Sequence, residues 1–262
     1  MTCKLIKKMS ELNTYKHIIR ALVFKNIFGR YKNSIVGFGW NFITPIVTMV
    51  AYYVIFSEFR TNAIPNFWIY LSTGLFSFTF MLGNIIGGAS CFINNSGMIK
   101  KMYFPREIIV ISQIISSAII MLIGYLVVFM ILVISGSQIG INLIYLPLAL
   151  ILMALFVTGC TLAISSITVY IRDVQYFLNS TDVLFYFATP MYFLTSNLEK
   201  PLNVIIWLNP LTHYIELFHC IIYYNIPPSM EQIFYCTIIT SIALFTGITI
   251  FSKLKKGFAE RL

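Results

Sequence analysis

The sequence predicts an all-α membrane protein with six transmembrane helices, an N-terminal amphipathic interface helix, and re-entrant outer half-helices between helices 5 and 6. Three observations predict this class. Apolar residues make up 58% of the 262 residues and charged residues only 10%, whereas soluble domains carry about 25% charged residues. The mean hydropathy is +0.84. Six apolar runs each reach the length of about 20 residues that a helix needs to cross a bilayer. Together these observations exclude a water-soluble or disulfide-stapled secreted protein.

The six predicted spans follow one another without a linker or an internal repeat, so we expect one transmembrane domain over residues 1–262. It divides into a cytoplasmic interface segment (1–35), a membrane part (36–252) and a cytoplasmic tail (253–262). The spans are predicted at residues 36–57, 67–93, 108–134, 142–169, 176–195 and 232–252. Charged, proline-containing or glycine- and serine-rich segments separate them.

The distribution of lysine and arginine predicts the orientation. Sixteen of the 18 basic residues lie in the N-terminal 35 residues, in the second and fourth inter-span segments and in the tail, against Arg60 and Lys200 on the other side. Cytoplasmic segments carry this excess in membrane proteins, so we expect both termini in the cytoplasm of a multi-pass protein of the cell (inner) membrane. The net charge of +9 is then a topology signal, and we expect no nucleic-acid partner.

Two segments depart from the pattern of simple spans. Residues 10–31 carry apolar side chains at helical spacing with Lys16 and Arg20 on other faces, which predicts an amphipathic helix in the plane of the cytoplasmic interface; a basic anchor that only sets topology is the alternative. Residues 195–231 contain four prolines and two short apolar runs, 202–208 and 214–223. This pattern predicts two half-helices that dip back from the outer face, where irregular backbone must be buried in protein or line a wet cavity.

Catalytic motifs are missing from the sequence. It contains no HExxH, no GxSxG and no phosphate-binding GxxxxGK[ST], so we expect no enzyme activity and no ATP hydrolysis on this chain. His213, Glu216 and His219 follow one another at i, i+3 and i+6, but no further ligand is evident and we predict no metal site. The five cysteines show neither metal-ligand spacing nor a disulfide framework.

The second inter-span segment, residues 94–107, is unusually apolar for a cytoplasmic connection. Methionine, isoleucine and aromatic residues alternate there with lysine and arginine. This pattern predicts a short helical plug that fits a groove on a partner protein. Burial against the protein's own interface helix explains the same pattern equally well.

Asp182 is the one carboxylate clearly inside a predicted span. Ionisable residues at that depth are costly and often mark an ion or proton path. The simpler alternative is an interhelical hydrogen bond involving the nearby Asn179, Ser180 or Thr181.

Aromatic residues, including 16 tyrosines and 23 phenylalanines, are concentrated at the ends of the spans and in the fifth span. Belts at the headgroup level account for many of them. Rings that run into a span can instead line a path for sugars, whose apolar faces stack on aromatic rings. The candidates for such a channel are Tyr52, Tyr53, Phe56, Phe185, Tyr186 and Tyr192.

Six motifs occur in order along the chain: Arg30-Tyr31-Lys32-Asn33-Ser34 with Trp40, Lys100–Glu107, Tyr170–Val174, Thr189–Tyr192, Asn209–Glu216, and Phe258-Ala259-Glu260. With them the chain resembles the membrane (permease) subunit of type 2 ABC exporters, in the branch that exports O-antigen, capsule or teichoic-acid polysaccharides. The resemblance implies a homodimer of six-span subunits. It also implies two copies of a separate ABC ATPase subunit that carries ATP and Mg²⁺, so no cofactor is expected on this chain.

The resemblance also implies roles for particular residues. The ATPase-coupling loop corresponds to Met98, Ile99, Lys100, Lys101, Met102, Tyr103, Phe104, Pro105, Arg106 and Glu107. The cations placed to meet the diphosphate of an undecaprenyl-diphosphate-linked glycan, or equally lipid phosphates, are Arg30, Lys32, Arg106 and Arg172. The outer gate corresponds to residues 197–226, with Asn209, Pro210, His213 and Glu216.

Three other functions stay open from the sequence. An ion- or proton-coupled carrier or channel would work without an ATPase and would depend on Asp182. An ABC exporter of lipids or drugs would share the same architecture. A membrane enzyme or scaffold for lipid-linked sugars is the least supported, because clustered acidic residues and histidines near either face are missing from the sequence.

Overall fold

The computed structural model describes residues 15–29, 36–59, 64–134, 140–195 and 199–262, and the regular structure within them is helical. The helices are α1 (Lys16–Phe28), α2 (Trp40–Phe59), α3 (Phe67–Gly88), α4 (Cys91–Asn94), α5 (Ser96–Lys101), α6 (Glu107–Ile134), α7 (Leu146–Tyr170), α8 (Asp173–Phe187), α9 (Leu202–Leu208), α10 (Pro210–Phe218), α11 (Met230–Leu254) and α12 (Phe258–Arg261). Short 3₁₀ turns precede α2, α7 and α12, and α10 continues into a wider π-type turn, His219–Tyr223.

Four segments in the described part of the chain are long and apolar enough to cross a membrane: Phe67–Gly88, Glu107–Met130, Ile141–Tyr170 and Met230–Gly257. They correspond to predicted spans 2, 3, 4 and 6, so the prediction of membrane-spanning helices is confirmed. For the first predicted span the structure gives α2, with 20 residues, whose apolar part is the shorter stretch Ile46–Phe56. The count of six spans therefore stays a prediction.

The fifth predicted span, residues 176–195, is not one continuous helix. α8 has 15 residues and ends at Phe187, after which residues 188–195 are largely irregular. Pro190 explains the break, because proline lacks an N–H and disfavours helical geometry at the residue before it. The following Met191, Tyr192 and Phe193 are buried. The apolar run therefore continues past the helix because the irregular segment is itself part of the core.

The central helix of the bundle is α3. Of its apolar stretch 78% lies inside the protein, compared with 17% for that of α11. Buried polar side chains on α3 bond to the carbonyls of their own helix: the Ser77 hydroxyl donates to Thr73 at 2.9 Å and the Asn84 amide to Phe80 at 2.7 Å. Such pairing lets polar residues sit where no water can reach them.

α7 and α11 approach each other through glycines. A side chain at Gly159 would collide with the backbone of Ala243 and Leu244, and one at Gly247 would collide with the backbone of Gly159. Small residues that let backbones come close are typical of helix pairs in membranes, where lipid removes the hydrophobic drive for association. These two helices therefore form a tightly fitted pair.

α1 packs along α6, as a helix within the predicted interface segment. Leu22 and Ile27 are buried, whereas Lys16, Arg20 and Lys25 are exposed. The Lys25 ammonium also donates to the Asn95 side-chain oxygen at 3.0 Å, which links α1 to the segment between α4 and α5. A helix is thus observed over residues 16–28, and its amphipathic character and its position in the membrane interface stay predictions.

The C-terminal residues 255–262, which we call the tail turn, fold back under the bundle. Phe258 is fully buried, and its ring centroid lies 5.0 Å from that of Phe92 and 6.1 Å from that of Phe251. The Tyr170 hydroxyl at the end of α7 donates to the Leu254 carbonyl at 2.9 Å. The predicted tail is therefore a packed element that ties α7 to α11 at the predicted cytoplasmic end.

Candidate functional site

The predicted coupling loop, residues 98–107 within the inter-span segment 94–107, has two faces in the structure. Ile99 and Phe104 are buried in the protein's own core, at 8% and 7% exposure, whereas Tyr103 is fully exposed and Met102 half-exposed. The sequence left two explanations open, a plug for a partner and internal burial, and the structure assigns different residues to each. Of the two adjacent aromatic residues Tyr103 and Phe104, only Tyr103 is exposed and so available to a partner.

The exposed tip of this loop is residues 100–103. α5 ends at Lys101, and Met102 adopts an extended conformation that turns the chain away from the helix. Pro105 then precedes α6, whose first turn carries Glu107, where a carboxylate favours the positive end of the helix dipole. The tip therefore presents two ammonium groups, a thioether and a phenol on a short, well-defined turn.

The base of the loop is held by the tail turn. Arg106 donates to the Lys255 carbonyl, and its guanidinium lies 5.5 Å from the centre of the Phe258 ring. The Lys255 ammonium is 3.6 Å from the Glu107 carboxylate. Sequence reasoning missed this contact, because it joins residues 149 positions apart; the Phe258-Ala259-Glu260 motif was the only signal that could have suggested it.

Four of the six predicted channel aromatics form one cluster. Tyr52 and Phe56 lie one turn apart on α2, the phenol ring of Tyr186 on α8 is 5.3 Å from that of Tyr52, and Tyr192 lies 4.4 Å from Phe56 and 5.8 Å from Tyr186. Tyr53 packs elsewhere, on Phe67 at 6.1 Å between ring centroids. The sixth candidate, Phe185, is partly buried against the core. The cluster lies where α2, α8 and the segment after α8 meet.

A polar stripe leads along α8 to this cluster. Gln175, Asn179, Asp182 and Tyr186 follow one another at spacings of four, three and four residues, which places them on one side of a helix. Asn179 and Asp182 are exposed on the surface of the protomer. The nearby hydroxyls of Ser180 and Thr181 donate to carbonyls of their own helix. The interhelical hydrogen bond that the sequence offers as the simpler explanation for Asp182 stays a prediction.

Residues 199–226, the predicted outer segment, contain two short helices, and their re-entrant position at the outer face stays a prediction. They are α9 and α10, and the predicted gate residues Asn209 and Pro210 form the junction between them. The Asn209 side-chain oxygen accepts from the backbone N–H of Leu211 at 3.1 Å, and its amide donates to the Thr189 hydroxyl at 3.0 Å. This is an N-cap followed by proline at the first helical position, and it also anchors the outer segment to the end of α8.

The other gate candidates have separate partners. His213 Nε2 lies 2.9 Å from the carbonyl oxygen of Trp207, whereas His219 is buried and stacks on Tyr70. Glu216 accepts a hydrogen bond from the Thr195 hydroxyl at 3.2 Å, and burial raises the pKa of this carboxyl to about 7. In the described ranges no three His, Cys, Asp or Glu side chains converge on one point.

The predicted diphosphate-binding cations fall into three groups. Arg172 is exposed directly before α8. Arg106 is engaged with the tail turn. Arg30 and Lys32 lie outside the described residues, so their placement stays a prediction.

Comparisons with known proteins agree with this architecture. The ABC-2 type transporter family model matches residues 17–223. The chain is 24% identical over 264 residues to the O-antigen export system permease protein RfbA of Myxococcus xanthus, which covers 98% of this chain and 100% of the relative. It is 28% identical over 258 residues to a protein of the same name from Klebsiella pneumoniae, with 98% and 99% covered. It is also 21% identical over 256 residues to the capsule polysaccharide export inner-membrane protein CtrC of Neisseria meningitidis, with 95% of each chain covered. Since the family model matches most of its length, the chain belongs to the ABC-2 type transporter family.

Proposed function

We propose that this chain is the membrane subunit of an ATP-driven exporter that moves a lipid-linked, O-antigen-like polysaccharide from the cytoplasm across the cell membrane. The observation that carries the proposal is the similarity, over nearly the whole chain, to permeases named for O-antigen and capsule export. An exporter of lipids or drugs would need no cluster of aromatic rings at the outer end of a polar stripe. The cluster therefore favours a sugar chain as cargo.

The partner that supplies energy is a separate ABC ATPase, present in two copies and holding ATP and Mg²⁺. Its docking surface on this chain is the exposed tip of the coupling loop, residues 100–103. Tyrosine is among the residues that most often dominate binding energy at protein interfaces, and Tyr103 is fully exposed in the isolated chain. Movement of the loop would reach the bundle through Ile99 and Phe104, which are part of its core.

A second copy of the chain covers the faces of α2 and α8. In the protomer α8 has no buried residue, and it exposes Asn179 and Asp182 together with large apolar side chains. Polar residues at membrane depth face a protein interior or water, because lipid cannot satisfy them. We therefore place the homodimer contact and a hydrated translocation path on this side of the protomer.

The cargo would enter from the cytoplasmic leaflet beside the start of α8. We assign Arg172, Arg30 and Lys32, which precede α8 and α2 in the chain, to the diphosphate of the lipid carrier. Along the path, sugar hydroxyls would bond to Gln175, Asn179 and Asp182, and sugar faces would stack on the aromatic cluster. The outer segment, with the Asn209 junction between two short helices, would act as the gate.

The test is co-purification with the ATPase from the native host. We expect Tyr103→Asp to reduce the affinity for the ATPase at least about 30-fold, since a hot-spot residue contributes 2 kcal/mol or more, so that the partner is lost during washing. Tyr224→Asp is the matched control, because this tyrosine is also exposed but lies in the outer segment. Phe104 is unsuitable for this test, because its burial means that a charge there disrupts the fold. Retention of a stoichiometric ATPase by the Tyr103 variant would contradict the proposed docking surface.

A proton-coupled carrier is the second candidate, and the observation that favours it is the exposure of Asp182 on α8. It requires transport to depend on ionisation of this carboxyl. The exporter needs Asp182 only as a hydrogen-bonding group.

A further inference from the structure

A cavity of about 1000 Å³ opens at the predicted cytoplasmic end of the bundle, between α6, α7 and α11. Its lining along the three helices is mostly apolar and consists of Ile111, Leu162, Leu244 and Ile248, together with Thr158. From Leu244 on α11 to Lys255, directly after it, the lining spans eleven residue steps, which corresponds to about 16 Å of helix. The hydrocarbon core of a bilayer is about 30 Å thick. The cavity is thus one leaflet deep.

The mouth of the cavity is cationic. Of the residues that the structure describes, Arg106, Lys255 and Lys256 line it together with one carboxylate, that of Glu107. Arg106 is held in place by its hydrogen bond to the Lys255 carbonyl and by the Phe258 ring. Three cations against one carboxylate leave an excess of positive charge at the level where the headgroups of the inner leaflet lie.

We propose that this cavity binds one anionic phospholipid of the inner leaflet, with its phosphate at Arg106 and Lys256 and an acyl chain between α6, α7 and α11. Basic pockets between membrane helices on the cytoplasmic side are sites for anionic headgroups. Acyl chains match the apolar lining, which in the absence of a chain would face water at its open end. The site is separate from the path assigned to the cargo along α2 and α8. The binding site takes from the proposed function only the orientation of the chain in the membrane, whereas its effect on the coupling loop also rests on the proposed docking of the ATPase.

Two other occupants fit less well. Residues 1–14 precede Tyr15, which lines the cavity, but they carry Lys4, Lys7 and Lys8 against Glu11, so their charge repels the cationic mouth. A soluble partner protein reaches the exposed tip of the coupling loop, whereas the apolar lining lies along α7 and α11 within the membrane-spanning stretches.

Occupancy would act on the coupling loop. Ile99, Phe104, Arg106 and Glu107 line the cavity and are the residues that hold the loop to the bundle. Met102 and Tyr103 of the tip also line the cavity, so a bound lipid contacts both the base of the loop and one side of its tip. The bound lipid would therefore set how firmly the loop transmits movement of the ATPase to the spans.

The experiment is native mass spectrometry of the purified full chain titrated with phosphatidylglycerol or with phosphatidylcholine. We expect one phosphatidylglycerol per chain to bind about tenfold more tightly than phosphatidylcholine, since each nearby basic residue favours an anionic lipid. Lys256→Gln should lower that preference about fivefold. Lys253→Gln, a change at an exposed lysine that does not line the cavity, should leave it unchanged.

A second pair of variants tests the apolar part. Ile248→Trp fills the cavity from a half-exposed position and should abolish retention of the lipid. Phe245→Trp, at a residue that is 69% exposed and outside the cavity, should not. Circular dichroism checks that all four variants keep their helical content.

Equal binding of the two phospholipids, or equal effects of the two lysine variants, would overturn the proposal. So would displacement of phosphatidylglycerol by lower concentrations of sugar-free undecaprenyl diphosphate, because the cavity would then be a site for the lipid carrier. These readouts use the chain without an ATPase. Their failure is therefore distinguishable from failure of the proposed function, which the co-purification experiment tests.

Discussion

Phe258→Ala should release the tail turn while leaving the membrane-spanning helices folded. Phe258 is fully buried between Phe92 and Phe251 and lies under the Arg106 guanidinium. Removal of the ring leaves a cavity and deletes the contacts that hold residues 255–262 against the coupling loop. The tail turn can open while the bundle stays folded. The substitution therefore lowers the free energy of this local opening and not the free energy of global unfolding of the bundle.

The size of the effect follows from the burial. Truncation of a buried phenylalanine to alanine costs about 3–5 kcal/mol in a protein core. Taking the lower figure, and about 1.4 kcal/mol per tenfold change in an equilibrium constant, the open population of the tail turn rises about 100-fold.

The assay is hydrogen–deuterium exchange of the chain in detergent. Peptides from residues 255–262 should exchange about 100-fold faster in the variant, whereas peptides from the middle of α11 should be unchanged. Phe245→Ala is the control, since that phenylalanine is on α11 but largely exposed. An increase below about tenfold in the tail turn, or an equal increase in the control, would refute the conclusion that Phe258 holds this element in place.

Three further changes test other parts of the structure. Asp182→Asn should leave polysaccharide export within about twofold of the native rate, because an amide still bonds to sugar hydroxyls; export is measured by surface polysaccharide. Glu216→Gln should raise the melting temperature at pH 8 and have little effect at pH 4: burial raises the pKa of this carboxyl to about 7, so the native protein loses stability as the pH rises from the ordinary carboxyl range through 7. Gly247→Val should prevent stable folding, because the new side chain collides with the backbone of Gly159; detergent-resistant, monodisperse protein is the readout.

Each of these outcomes can go the other way. Loss of export in the Asp182 variant would favour a proton-coupled carrier. Equal stabilisation of the Glu216 variant at both pH values would mean that the ionised carboxyl is not the cause. A well-folded Gly247 variant would mean that α7 and α11 can separate without cost.

Much of the fold is predictable from the sequence, because membrane-spanning helices are recognised by the length and apolar composition of their sequence. The stretches that form α3, α6, α7 and α11 were each predicted within a few residues. The fifth span was predicted as too long, since the buried residues 191–193 are as apolar as a helix facing lipid. An apolar run indicates that its residues are buried, but not whether they form a helix. Only Pro190 indicated that the buried residues after it are in irregular backbone.

The candidate site was predictable where its residues are close in sequence. The junction at Asn209 and Pro210 follows from local capping rules. Residues 94–107 lie between α3 and α6 as predicted, while their coupling role stays a prediction. Phe104 in that loop is buried and Tyr103 is exposed because of residues, distant in sequence, that pack against one side of the loop. A local sequence pattern contains no information about those residues. The contact of Phe258 with Arg106 could not be predicted for the same reason, because it depends on the return of the chain after six intervening helices.

The glycine contacts between α7 and α11 have a mechanical consequence. Where two backbones touch directly, as at Gly159 and Gly247, no flexible side chain can absorb a change in distance or tilt. We therefore expect α7 and α11 to move as one rigid unit throughout a transport cycle, with α3 packed against α7. α8 has no fully buried residue and contacts the rest of the protein through partly buried side chains such as Phe185 and Tyr186, so it is held less tightly than this pair. Conformational change within one protomer would then be a movement of α8 relative to α3, α7 and α11, at the surface that carries the aromatic cluster.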